Sequence, residues 1–109
     1  MDEWLFEVLD RDGALVSLSA QRWSRHIMER HPELRNNAEA LKAVIQDPMI
    51  VTLDNGGVHH LSTLGAVKGK WRGLYLEVVV RYTASGGEVL TAFFNGDVPK
   101  GELQWLRKT

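Results

Sequence analysis

The chain contains no cysteine, which excludes a disulfide framework, a thiolate zinc site and a cysteine nucleophile. Nor does any run approach the roughly 20 apolar residues that a membrane span needs, so no membrane role is expected. The first residues, Met1-Asp2-Glu3, are acidic where a signal peptide is basic. Together with the missing cysteine they lead to the expectation of a cytoplasmic protein. Charge of one sign is also lacking: 13 Lys and Arg face 14 Asp and Glu, a net −1. Domains that hold nucleic acid by bulk electrostatics usually have a pI above about 9. The balance is uneven along the chain, with six cations against ten anions over 1–54 and seven against four over 55–109. A basic face for a phosphate is compatible with that distribution, and so is a chance scatter of surface charge. There is no internal repeat and no low-complexity tract.

What is present describes one ordinary domain. The 109 residues are 44% hydrophobic and 25% charged and include four Trp, three Phe and two Tyr, enough apolar surface for a single core. Apolar-rich runs over 4–9 and 14–18 flank Asp10-Arg11-Asp12-Gly13, whose Asp-Gly suits a tight turn. An N-terminal β-hairpin over 4–18 is predicted. Ser19 is a plausible N-cap for a helix over 20–31, with Ala20, Trp23, Ile27 and His31 on one side. Pro32 ends it, because a residue before proline leaves the α region. A second helix over 37–46 has Leu41, Val44 and Ile45 as its buried stripe and Asp47-Pro48 as its stop. From Met49 the period becomes that of strands, 49–53, 58–64, 74–82 and 88–94, and 49–94 reads as an antiparallel sheet followed by a tail over 95–109. In the strongest strand Leu74, Leu76, Val78, Val80 and Tyr82 form an apolar face for the helices, opposite Tyr75, Glu77, Val79 and Arg81. The link 65–73, with Lys68, Lys70, Arg72 and three glycines around Trp71, is the most basic and mobile-looking segment. The fold class expected is α+β: two short helices packed on a curved antiparallel sheet of four or more strands.

The segment from Trp23 to Glu33 carries the most chemistry. With Trp23 and Ile27 facing the core, His26 and Arg30 meet on the helix rim and His31 stands at its end. Two imidazoles can supply a general base and a general acid, and a guanidinium can hold a phosphate. The same spacing also describes a His favoured by the helix dipole and a second, half-exposed surface His. A zinc site is disfavoured, because His26 and His31 are five apart and the adjacent strand residues His59 and His60 point to opposite faces. Thr91 interrupts an apolar run. An odd-numbered loop at 84–87 puts it on the same face as Arg81, and an even one separates them.

The ordered set Trp23-x-x-His26-Ile27-x-x-Arg30-His31-Pro32-Glu33, a helix ending in Asp47-Pro48, a strand ending Val79-Val80-Arg81, and Leu90-Thr91-Ala92-Phe93 resembles the small phage- and mobile-element-associated nuclease-like domains of the BECR fold (barnase/EndoU/colicin/RelE-like). The likeness spans roughly residues 20–95. It implies helices on a four-stranded antiparallel sheet whose open face holds RNA, and a ribonuclease of toxin type that needs no metal or other cofactor. It further implies that His26 and His31 match the helix-borne histidines, Arg81 the strand arginine and Thr91 the hydroxyl of the last core strand. The activity expected is endoribonucleolytic cleavage by 2′-OH attack on the phosphate, with RNA contacts at Arg30, Lys68, Lys70, Trp71 and Tyr75. Core packing is an equal reading of the two aromatics. The rival expectation is a catalytically silent copy of the fold that docks a protein partner: an antitoxin, an immunity protein or a phage accessory protein.

Overall fold

The computed structural model describes residues 3–108. Strands β1 (Trp4–Leu9) and β2 (Leu15–Ser19) form the N-terminal hairpin. Asp10 organises its turn: Oδ1 accepts hydrogen bonds from the amides of Asp12 at 2.9 Å and Ala14 at 2.8 Å. Helix α1 follows without a break, as α-helical Ala20–Arg22, a π-helical turn Trp23–Ile27 and α-helical Met28–Arg30. Its N-cap is Ser19, whose side chain accepts from the Arg22 amide. His31 leaves the helix at φ −134°, the conformation that Pro32 imposes on its predecessor. A 3-10 turn, Pro32–Leu34, leads to helix α2 (Ala38–Gln46). Strands β3 (Ile50–Leu53), β4 (His59–Leu64), β5 (Tyr75–Thr83), β6 (Gly86–Asn95) and β7 (Glu102–Leu106) complete the chain.

The seven strands form one sheet in the order β1-β2-β6-β5-β4-β3-β7, antiparallel throughout except for the parallel pair β2–β6. The fold is therefore α+β, with seven strands where four or more were expected and with the hairpin part of the same sheet. The predicted tail also differs: Glu102–Leu106 pairs antiparallel with β3. Its sequence gave little sign of this because four of its five residues are exposed and only Trp105 is half-buried, so burial leaves no alternating imprint.

Side-chain alternation gives the sheet two unlike faces. On one, Leu76, Val78 and Val80 of β5 meet Leu61, Val89, Ala92, Val16, Leu18, Phe6 and Val8, and α2 closes this core with Leu41, Val44 and Ile45. The other face carries Glu77, Val79 and Arg81 beside His60, Ser62, Glu88, Thr91 and Phe93. It is not simply solvated, since Glu77 is 3% exposed and Val79 6%. Residues 96–101 cross it as a strap on the way from β6 to β7, with Pro99 of the strap buried.

Helix α1 lies along β6. Only Gly87 and Glu88 of β6 pair with β2, and beyond them Arg22 Nη1 donates to the Leu90 carbonyl at 3.2 Å. The π turn, in which the Met28 amide reaches back to the Trp23 carbonyl, inserts an extra residue. Trp23 is accordingly half-buried against the core, not enclosed in it as expected, while Ile27 is fully buried. The link 65–73 is also pinned: Val67 is buried, and Trp71, in a 3-10 turn (Gly69–Trp71), stacks on Phe94 with ring centroids 4.7 Å apart.

The meeting of β2 and β6 depends on Gly86. Its φ is +127°, and a Cβ there would stand 2.5 Å from the Leu15 carbonyl oxygen. Gly57 has φ +81° but open space around it. Gly86→Ala is expected to lose about 3 kcal/mol or more, and Gly57→Ala about 1 kcal/mol, backbone strain acting in both and the close approach in only one. Urea denaturation of the two variants checks this; equal losses would show that the strands separate without cost.

Candidate functional site

Helix α1 and β6 together position the residues singled out in the sequence. Arg22, at the first turn, holds β6 from two sides: Nη1 on the Leu90 carbonyl and Nη2 on Glu88 Oε1, each at 3.2 Å. At the far end the His31 ring lies 5.9 Å from that of Phe93, and His31 Nδ1 is 3.8 Å from Glu33 Oε2. Thr91 falls between these two anchors. His26 opens into a cleft of ≈ 470 Å³ with Trp4, Arg22, Arg25 and Glu88. Arg81 lines a second cleft of ≈ 320 Å³ with Trp4, Glu7, Ser17 and Glu88. Glu88 and Trp4 belong to both, so His26 and Arg81 occupy neighbouring recesses.

Arg81 and Thr91 share the strap-side face despite an even, two-residue turn, Ala84-Ser85, between paired Thr83 and Gly86. An uninterrupted ladder would have put them on opposite faces. A β-bulge corrects the count, because β5 Val79 and Val80 pair with Thr91 and Val89 and leave Leu90 extra. Of the remaining residues, Arg30 is exposed at the end of α1, and Lys68 and Lys70 are exposed on the link. Lys70 Nζ sits 5.0 Å from the Trp71 ring centroid. Phe94 covers one face of that half-buried indole. Tyr75 is half-buried between its ladder partners Leu64 and Asn95.

A second cluster escaped the sequence reading. His60 lies under the strap with Nδ1 2.5 Å from Glu77 Oε2 and Nε2 2.8 Å from Asp54 Oδ2. Asn95 donates to the other Glu77 oxygen at 3.0 Å. Asp54 Oδ1 is occupied as well, accepting from the amides of Gly56 at 2.8 Å and Val58 at 3.2 Å. These residues border a cleft of ≈ 520 Å³ whose rim includes Asp97 and Lys100 of the strap. Burial of the ring opposes its protonation, but the hydrogen bonds and negative charge of Asp54 and Glu77 outweigh this and raise the His60 pKa above the ordinary histidine value. The hydrogen bond from His60, with smaller help from the backbone amides, lowers that of Asp54. With both nitrogens held by carboxylates, the ring offers neither to a substrate. Its protonated form clamps β4, β5 and the β3–β4 turn. The signal lay in Glu77, a carboxylate inside an apolar strand, on the same face as its cross-strand diagonal His60. His59 points the other way, edge-on to Tyr82 at 5.2 Å, as alternation requires. Among the described residues no three His, Asp or Glu side chains are grouped to hold a metal ion.

The clamp fixes the sign of the pH response. Because the folded-state pKa of His60 is raised, its contribution to stability is complete below about pH 6.5 and is lost as pH rises through the folded value. Asp54 acts oppositely, its contribution being lost as pH falls through its lowered value. In an NMR titration His60 should deprotonate above about 6.5, and Asp54→Asn or Glu77→Gln should each bring the midpoint down; a parent midpoint at or below that value would overturn the clamp. No family model, curated protein or solved structure matches the chain, so the meaning of these residues rests on their geometry and chemistry.

Proposed function

We propose that the chain is a metal-independent endoribonuclease built on a BECR-like α+β fold, with its site in the groove between α1 and the strap-side face of β6. The observation that carries this reading is the double anchoring of α1: Arg22 on Glu88 and Leu90, and His31 on Phe93. It holds the helix that carries His26 and Arg30 and ends at His31 against the strand that carries Thr91. In the reaction the ribose 2′-oxygen bonds to the adjacent phosphorus and the bond from phosphorus to the 5′-oxygen breaks. One of His26 and His31 takes the 2′ proton and the other protonates the leaving 5′-oxygen, leaving a 2′,3′-cyclic phosphate. Arg81 stabilises the charge that builds on the phosphorane, Thr91 donates a hydrogen bond to it, and Arg30 assists. Lys68 and Lys70 steer the strand from the link, and Tyr75 is left as an aromatic contact at its edge.

The rival, a silent copy that docks an antitoxin or other protein partner, is favoured by the two edge strands. Trp4, Leu5 and Leu9 on β1 and Leu103 and Leu106 on β7 are all exposed, and unpaired edges with apolar side chains invite another chain.

Incubation of the purified chain with end-labelled RNA in excess chelator separates the two. The expected result is cleavage with cyclic-phosphate ends, and a loss on the order of 100-fold or more for each of His26→Ala, His31→Ala and Arg81→Ala in single-turnover assays. Thermal melting of each variant should stay near the parent. Absence of cleavage, or variants that cleave like the parent, would end the ribonuclease reading and favour the docking module.

A further inference from the structure

The side chain that the acid–base reading leaves unused is Trp4. By alternation it belongs with Phe6 and Val8, which are buried in the core. It does not join them, because β1 is bulged: Trp4 pairs with Ser19 and Phe6 with Leu18, so Leu5 is extra and the parity reverses. The indole is thereby turned to the side of Ser17 and Ser19 and left 52% exposed. The backbone on either side is tied to the start of α1: Ser19 caps the helix, and the Ala20 amide donates to the Glu3 carbonyl at 2.9 Å.

Its surroundings suit an unpaired base. Trp4 and Glu88 line both clefts, with Arg22, Arg25 and His26 in one and Arg81 in the other. Glu88 is paired with Arg22 at 3.2 Å, and Glu7 accepts from the Ser17 hydroxyl at 3.2 Å. An exposed aromatic flanked by guanidiniums is how proteins hold single strands: the cations follow the phosphates and each base offers a π-face for stacking. Bases inside a duplex are stacked on one another and do not present that face.

We propose that Trp4 is the stacking platform for an unpaired base next to the scissile phosphate, and that it makes the site select single-stranded over duplex RNA. This rests on the ribonuclease reading for the identity of the ligand. The probe that tests it is a dye-labelled, mixed-sequence 2′-O-methyl oligoribonucleotide, which lacks the attacking hydroxyl, used single-stranded and as a blunt duplex in fluorescence anisotropy. The parent should bind the single strand about 10-fold or more tightly than the duplex. Trp4→Ala should lose about 10-fold on the single strand and little on the duplex. Trp4→Phe should keep most of the affinity, and Leu9→Ala, an exposed residue of the same strand, should bind like the parent. Circular dichroism confirms that each variant is folded.

Equal binding by Trp4→Ala and the parent, or an equal loss on both probes, overturns the proposal even if the parent cleaves RNA. Trp4-dependent binding of single strands by a chain that cleaves nothing upholds it and ends the ribonuclease reading alone. Failure to bind either probe overturns both and leaves the indole to a protein partner.

Discussion

A strand that pairs with its neighbour over only two residues leaves most of its edge open, and β6 is in that position. Val16 meets Gly87 and Ser17 meets Glu88, after which the chain leaves β2 as α1. The unpaired carbonyls beyond that point need donors, because a backbone acceptor cut off from both water and protein is costly. Arg22 supplies one of them at Leu90. The same arrangement explains why α2, and not α1, carries the main apolar stripe: α2 lies on the face of the sheet, whereas α1 covers an edge and has to be half polar. A helix that turns Ile27 to the core and Arg22 to the open edge of β6 follows from the brevity of one parallel pair.

Electrostatics divides the strap-side face into two zones with different capacities. At the end nearest β3, Asp54 and Glu77 hold the two ring nitrogens of His60, and Asn95 donates to the second Glu77 oxygen. Such a set holds elements together and offers no free donor or base to a ligand. Nearer β1, the guanidiniums of Arg22, Arg25 and Arg81 surround Glu88 and are not saturated by it. The carboxylates of Asp54, Glu77 and Asp97 thus gather at one end of the face and the guanidiniums at the other.

The helices, the hairpin and four of the central strands were legible in the sequence because burial imprints a period, 3.6 in Leu41, Val44 and Ile45 and 2 in Leu76, Val78 and Val80. Three features that were not legible share one cause: a local insertion that resets the count. The π turn in α1 and the bulges at Leu5 and Leu90 each add a residue that no periodic reading registers, and two of them decide which side chains reach the candidate site. Arg81 and Thr91 share a face through such an insertion, although the turn between their strands has the wrong parity. The His60 cluster was hidden for another reason, since its members come from three elements and meet only in register. β7 left no pattern because it buries almost nothing.

That last property of β7 governs how the molecule opens. With Leu103 and Leu106 57% and 56% exposed, the strand is held by its ladder to β3, by Arg11 over the Trp105 ring at 3.5 Å and by the Arg107–Asp47 pair at 3.2 Å. A segment with so few buried apolar side chains is the kind of unit that opens ahead of a core. When the unit detaches, β3 becomes a bare edge and the underside of the strap is uncovered in the same event, so the segment most open to self-association is reached without unfolding the core.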